Sequence, residues 1–340
     1  MAPKVTLKEI AREVGLSPTS VSLVLNNKPC KVSAENKRRI KETARRMHYI
    51  PNQIARSLVT QHSKTFGLVV PNIESRFFSS LAKNLEIRCR ERGYALFITN
   101  SDDSPSNDSE LVRLLVNRGV DGLFLVVSNE LEADGRLVED LEQLPVPYVM
   151  VDRFIEGLAG DRVRFNNEMG GYLACRYLLE RGHRRIACLA NLRSNTGRER
   201  VGGYECALAE FDVPCDETLV LPSDYYIPDA YEAAGKLLGT DATAVVATSD
   251  IIALGLLKRL YERGIRVPRE YSVVSYDNSA ADSLFEPALT SIEQNVPELS
   301  EAALGLMLRR LEEHDRGERG DPEEIVLKPR LVVKDSVRTI

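Results

Sequence analysis

The chain has 340 residues, 43% of them hydrophobic, and nearly balanced charge, with 45 Lys and Arg against 50 Asp and Glu. A chain of this size and composition suits a soluble globular protein of two or three domains with sizeable cores. It carries no apolar run long enough to span a membrane and no apolar leader, which points to the cytoplasm. Charge is unevenly placed: the first 64 residues hold 13 Lys and Arg against 4 Asp and Glu, and the remainder 32 against 46.

In chain order, Thr6 is placed to cap a first helix, with Glu9 at its third position closing a capping box. Ala11 is small enough for a second helix to approach, and Gly15 suits a turn that needs a positive φ. Ser17 and Pro18 supply an N-cap and a first helical residue for that second helix. Val21, Val24 and Leu25 recur at helical spacing and face a core, which leaves Pro18, Thr19, Ser22 and Leu23 outward. This is the punctuation of a helix-turn-helix whose second helix lies in the major groove of DNA. A basic head on an acidic body is the electrostatic footprint of phosphate binding. A third helix follows Ser33, with Ile40, Ala44 and Met47 as its apolar stripe among Lys37, Arg38, Arg39, Lys41, Arg45 and Arg46. Pro51 and Asn52 then punctuate the start of a helix of at most two turns, too short to be stable alone in water. Thr60 to Lys64 reads as a polar linker.

From Thr65 the pattern alternates. Strands are expected at 66–70, 95–99, 122–127 and 148–151, near Val163, and at 186–190, 219–221, 244–247 and 272–275. Helices fall between them at about 76–92, 105–118, 134–143, 167–181, 197–211, 228–238 and 250–263. A long helix at about 297–313 and strand pieces at 325–333 finish the chain. These are two rounds of a doubly wound, mainly parallel α/β sheet, whose ligands bind outside the carboxyl ends of the strands. The six cysteines are scattered without a C-x-x-C pair and read as reduced thiols, and the four histidines are far apart and suggest no metal site. No G-x-G-x-x-G follows a strand and no G-x-x-x-x-G-K-[ST] occurs, so nothing marks a nucleotide-using enzyme; Gly202-Gly203 lies inside a helical stretch.

An ordered series of motifs goes further. The head carries Ala11, Gly15, Ser17, Val21, Ser22, Asn26, Val32, Ser33, Tyr49, Pro51 and Asn52. The body carries Gly182-His183-Arg184-Arg185-Ile186-Ala187, Arg200-x-x-Gly203-Tyr204, Ser249-Asp250-x-x-Ala253-x-Gly255, Gly264 to Pro268, Ser272 to Asp277, and Pro287-x-Leu289-Thr290-Ser291-Ile292-x-Gln294. In this the chain resembles the lactose-repressor/galactose-repressor (LacI/GalR) family of bacterial transcription regulators over nearly its whole length. The resemblance implies an all-α helix-turn-helix head at 1–50, a hinge helix and linker at 51–64, and an α/β body at 65–340. The body would be two doubly wound lobes of periplasmic-binding-protein type joined by crossovers near 161–165, 290–295 and 325–330. Its N-lobe would be about 65–161 with 293–325, and its C-lobe 162–290 with 326–340. A homodimer on a pseudo-palindromic operator, controlled by a small-molecule effector between the lobes, follows from the same resemblance. No cofactor is implied. A tetramer is not expected, because no heptad run follows Leu331 to Val333.

The resemblance also assigns residues. Pro18, Thr19, Ser22 and Leu23 would read bases; Leu23 stands where many relatives have Arg, so it would pack on a thymine methyl rather than pair with guanine. Lys31, Tyr49 and Asn52 match positions near the DNA backbone, and Thr6, Ser17 and Asn26 complete the DNA-facing candidates of the head. Leu58 would wedge into a base step from the minor groove, flanked by Arg56 and Val59. In the cleft the candidates are one of Phe77 and Phe78, with Asp152, Arg200, Tyr225, Ser249 and Asp277. Carboxylates accepting from hydroxyls, a donating Arg and rings over apolar faces suit a neutral sugar. Asp250 is expected to cap its helix. The chain departs from the family pattern at Ser249, where Asn is common, and at Asn166-Asn167, where Asp-Asn is usual; it also has no Trp. Two regulators of other kinds remain as alternatives, a catabolite-type regulator with a phosphorylated carrier protein as corepressor and a purine-responsive repressor. A soluble sugar-binding protein is the alternative outside regulation, and the basic head argues against it.

Overall fold

The computed structural model describes residues 5–49, 62–128, 135–279, 286–318 and 320–340. It forms two compact units, Met1–Ser63 and Lys64–Ile340.

The first unit packs α1 (Leu7–Val14), α2 (Pro18–Leu25) and α3 (Ala34–Arg46) around fully buried Ile10, Val21 and Ile40. Its caps are local. The Thr6 N–H donates to Glu9 Oε2 at 2.7 Å, and the Glu9 N–H donates back to Thr6 Oγ1 at 3.4 Å, closing the capping box. Gly15 ends α1 at φ 68°, where a side chain would be strained. The Ser17 hydroxyl accepts from the Ser20 N–H at 3.1 Å, and Pro18 fills the first position of α2. Ser33 caps α3 by accepting from the Asn36 N–H. An ion pair between Arg46 and Glu13 at 2.7 Å ties α3 to α1. The short helix expected after Pro51, with Asn52, Arg56, Leu58 and Val59, lies outside the described residues.

The second unit holds two six-stranded sheets. The first has the order β11-β5-β4-β3-β1-β2, built from β1 (Thr65–Val70), β2 (Ala95–Asn100), β3 (Gly122–Leu125), β4 (Tyr148–Val151), β5 (Asp161–Phe165) and β11 (Glu324–Leu327). The second has the order β12-β10-β9-β8-β6-β7, from β6 (Ile186–Ala190), β7 (Val220–Pro222), β8 (Ala244–Ala247), β9 (Ser272–Asp277), β10 (Thr290–Glu293) and β12 (Arg330–Val332). Among the described residues every strand pairing is parallel except β10 with β12. Helices cover both faces, so alternate residues of one strand feed different cores: Phe66, Leu68 and Val70 pack with Leu81, Leu299 and Met307, while Val69 packs with Val112 and Leu115.

The lobe boundaries differ from the expected ones. All of β5 and all of β11 belong to the first sheet, so the N-lobe runs through Phe165 rather than 161 and, in its second stretch, through Leu327 rather than 325. Pairing decides this: β11 lies in register with β5, Glu324 opposite Arg162 through Leu327 opposite Phe165. The strand expected at 219–221 starts one residue later, because Glu217–Leu219 form a turn of 3-10 helix capped by Asp216.

Two helix contacts set the second lobe. α7 (Asn167–Glu180) and α8 (Asn195–Glu210) touch backbone to backbone, since a Cβ on Gly171 would lie 1.9 Å from the Arg200 carbonyl oxygen, and one on Gly203 1.8 Å from that of Glu168. Gly203 is therefore a helix-packing residue. The last residues form a strap over the same lobe. The Lys334 N–H donates to Thr290 Oγ1, the Ser336 hydroxyl to the Val273 carbonyl, and the Ile340 N–H to the Arg181 carbonyl. Buried His183 holds this strap from below, its ring nitrogens 2.8 Å from Thr243 Oγ1, 2.9 Å from Ser272 Oγ and 3.2 Å from the Arg338 carbonyl. Burial lowers its pKa, which favours the neutral ring.

Candidate ligand cleft and DNA-facing residues

In the head, Pro18 and Thr19 are exposed at the start of α2, and Ser22 and Leu23 are half-buried one turn on. Asn26 closes the helix: its Nδ2 donates to the Ser22 carbonyl at 2.8 Å and lies 3.3 Å from the Ser22 hydroxyl. Lys31 is exposed; Tyr49 is half-buried against the head core, which raises its pKa. Thr6 and Ser17 spend their hydroxyls on caps while staying at the surface.

In the body, the carboxyl ends of both sheets line one cavity, whose free space is about 50 Å³. α4 (Arg76–Glu91) brings both Phe77 and Phe78 to it, their rings edge to face at 5.4 Å. The expectation of only one ring is corrected here: the cavity lies against the first turn of α4, so successive residues both reach it. Asp152 follows β4 at φ 67° and Asp277 ends β9 at φ 84°, so both acids sit in backbone that side chains rarely adopt. Burial pushes the Asp152 carboxyl up, against the pull of Arg200 and Arg153. Its Oδ1 has no hydrogen-bond partner among the described residues. Burial also pushes Asp277 up to about 7, opposed by the Arg200 guanidinium.

Arg200 rises from the first turns of α8 into the cavity floor. Its guanidinium stacks 3.8 Å over the Tyr276 ring, donates from Nη1 to the Thr248 carbonyl at 2.6 Å, and lies 4.0 Å from Asp277. Tyr225 reaches in after β7, within hydrogen-bond distance of Thr196. Ser249 lines the cavity and also caps α10 (Asp250–Glu262), accepting from the Ile252 N–H at 3.2 Å. The cap is thus Ser249 and not Asp250, whose carboxylate instead accepts from the Ser275 hydroxyl at 2.7 Å and the Ser279 N–H at 2.8 Å. One residue's difference in helix start moves the acid from cap to loop anchor.

Several cavity residues escaped the sequence reading, Arg153 and Gln294 among them. Arg153, buried beside Asp152, pairs with Asp103 at 3.0 Å and lies 5.3 Å from the Phe78 ring of one lobe and 5.4 Å from the Tyr225 ring of the other. Gln294, at the second crossover, has both side-chain amide atoms buried without a partner among the described residues. It was visible as the last residue of the Pro287-to-Gln294 motif; Arg153 had no signal beyond its place after a strand. Asn166 accepts from the Met169 N–H at 2.8 Å, so the departure from Asp at this position keeps the cap of α7.

A family model for bacterial regulatory proteins of the lacI family matches residues 6–52, and one for a periplasmic-binding-protein-like domain matches 175–337. The HTH-type transcriptional repressor PurR of Vibrio atlanticus (strain LGP32) is 32% identical over 343 residues, covering 98% of this chain and 99% of that protein. The chain belongs to the LacI family. As a LacI-family member it is a DNA-binding transcription regulator, and its family is not one of enzymes. Among solved structures, a transcriptional regulator CelR–cellobiose complex is 29% identical, with TM-score 0.72 over 98% of this chain and 100% of that one. The Lac repressor dimer bound to operator and the anti-inducer ONPF is 23% identical and shares the fold, with TM-score 0.86 over 99% and 100%. Among the described residues of this LacI-family chain, no helix is long and apolar enough to cross a membrane, and no cluster of ligating side chains could hold a metal ion.

Proposed function

We propose that this chain is a transcription repressor whose operator affinity is set by a neutral sugar or sugar derivative bound between its lobes. The observation that carries the reading is the cavity's surplus of acceptors. The buried Asp152 carboxyl and Gln294 amide lean on each other without a full hydrogen bond, and Asp277 faces the same space beside a donating Arg200. Hydroxyl groups answer such a set, because each both donates and accepts, while Phe77, Phe78 and Tyr225 cover the apolar face of a ring. The cellobiose-bound relative supports this class.

The head would read operator bases through Pro18, Thr19, Ser22 and Leu23 and hold the backbone through Lys31, Tyr49 and Asn52. Thr6, Ser17 and Asn26 fix the ends of the two motif helices. Arg56, Leu58 and Val59 would act at the centre of the operator. Effector binding shifts the body between states of different lobe closure, and through a dimer biases the head; such coupling is reciprocal between ligand and DNA.

The name of the Vibrio atlanticus relative favours a second reading, a purine effector. Calorimetry with D-glucose, D-ribose and cellobiose against purine bases separates the two, followed by operator binding on DNA recovered from a genomic selection. Heat and release from operator with a sugar are expected; heat with a purine alone overturns the sugar reading.

A further inference from the structure

Behind the cleft floor, polar contacts continue out of the second lobe and into the first. Arg200 Nε donates to Asn167 Oδ1 at 2.9 Å, and Asn167 Nδ2 donates to Glu199 Oε2 at 3.1 Å. Glu199 accepts from Arg164 Nη1, 3.3 Å from each carboxylate oxygen. Arg164 lies on β5 of the first sheet, and its Nε donates to Glu324 Oε1 on β11 at 2.6 Å; Arg162 holds the same carboxylate at 3.2 Å. Asn167 is buried at the first crossover, and both ends of its amide face charge. Turning the amide over would set its NH2 against the Arg200 donor and its oxygen against the Glu199 carboxylate, so the orientation is fixed by its neighbours. Gly171 and Gly203 let α7 and α8 approach closely enough for the chain of bonds to close.

We propose that Asn167 is a positioning residue, and that the relay from Arg200 through Asn167 and Glu199 to Arg164 ties the state of the cleft to the angle between the lobes. Arg164 is the part that crosses, because it touches a carboxylate from each lobe, Glu199 and Glu324. A ligand that draws on Arg200 changes the charge Asn167 must balance, and Asn167 passes this to the Glu199–Arg164 pair. The pair is only partly exposed, with side chains 20% and 30% accessible, so solvent screens it incompletely. The relay rests on the reading of this cleft as an effector site, but its mechanical part can be read without any effector.

The test is amide hydrogen exchange on the full chain without ligand, followed in the cleft-lining segments 71–78, 152–153 and 248–250. Wild type is compared with Arg164→Gln, Asn167→Ser, the double variant, and Arg176→Gln, which removes the Arg176–Glu180 pair on α7. Arg164→Gln should speed exchange in those segments about fivefold, the factor expected for one partly screened ion pair. Asn167→Ser should do the same, and the double variant should add little, because both cut one relay. Arg176→Gln should leave the segments unchanged. Unchanged exchange in Arg164→Gln, or fully additive effects, overturns the relay. If Arg164→Gln exchanges fast everywhere through loss of fold, Arg164→Lys decides: it keeps the cation near Glu324 but has one nitrogen where Arg164 uses Nε on Glu324 and Nη1 on Glu199, so it must speed exchange in the cleft segments alone, and wild-type exchange sinks the idea. D-ribose, D-glucose and cellobiose are then added singly to wild type. If none slows the segments while the variants still speed them, the sugar reading fails and the relay stands.

Discussion

Gln294 offers an amide that makes no full hydrogen bond among the described residues and only leans on the Asp152 carboxyl. Replacing it with a side chain of similar volume breaks no internal bond, so Gln294→Leu should leave the melting temperature nearly unchanged or raise it. Binding of the sugar that wild type takes up should weaken about tenfold, the loss of one hydrogen bond in a buried site. Thermal melts and calorimetry on the same samples check both halves. Asp277 makes the opposite case, a charge under strain. Burial holds its carboxyl up to about 7, so near neutrality a share of the molecules carry it protonated. A hydroxyl donates more strongly to the ionised form, so binding through this contact favours release of a proton below that pKa. Sugar affinity should rise between pH 6 and 8 and level off above, and Asp277→Asn should flatten the profile. Calorimetry in buffers of different ionisation heat reads the released proton directly. An affinity that falls with pH would remove Asp277 from the hydroxyl contacts.

At the scale of elements, α8 contains a paired test. A Cβ on Gly202 meets nothing within 4 Å, while one on Gly203 meets the Glu168 carbonyl oxygen at 1.8 Å. Gly202→Ala should stabilise by up to about 1 kcal/mol through helix propensity. Gly203→Ala should destabilise by about 1–3 kcal/mol through overpacking, and loosen the seat of Arg200. Denaturation midpoints of the two variants should move in opposite directions. Both glycines were readable as helical from the sequence, but which one faces a neighbouring backbone depends on how α7 crosses α8, and periodicity does not carry that. The caps were legible for the converse reason: Thr6 with Glu9, Ser17 with Pro18, and Ser33 act within one turn. Asp250 shows the limit, since a helix starting one residue away gives a carboxylate an entirely different set of partners. The element expected around Leu58 makes its own prediction. Leu58→Ala should weaken operator binding far more than binding to random DNA, because the few kcal/mol that offset base unstacking are gained only on the operator. Gel shifts on both DNAs decide it, and equal losses refute the wedge.

For the whole molecule, alternation of strands and helices sufficed to read two doubly wound lobes, but not to divide the chain between them. β5 and β11 are short strands at the turning points, and only pairing assigns them to the first sheet, β5 to β4 and β11 to β5. The cleft was legible where residues end strands, as at Asp152, or stand in recognisable motifs, as at Ser249 and Asp277, and less so for Arg153, whose partners come from distant parts of the chain. The terminal strap has a bearing on how the protein is made. The head comprises the first part of the chain and its three helices close on themselves, so it is complete early in synthesis. The second sheet is not, because Thr290, Ser272 and His183 wait for partners at Lys334 and Arg338. A chain still on the ribosome therefore owns a reader before it owns a sensor. A late stop codon that spared β12 but removed the residues from Lys334 onward would strand the same partners.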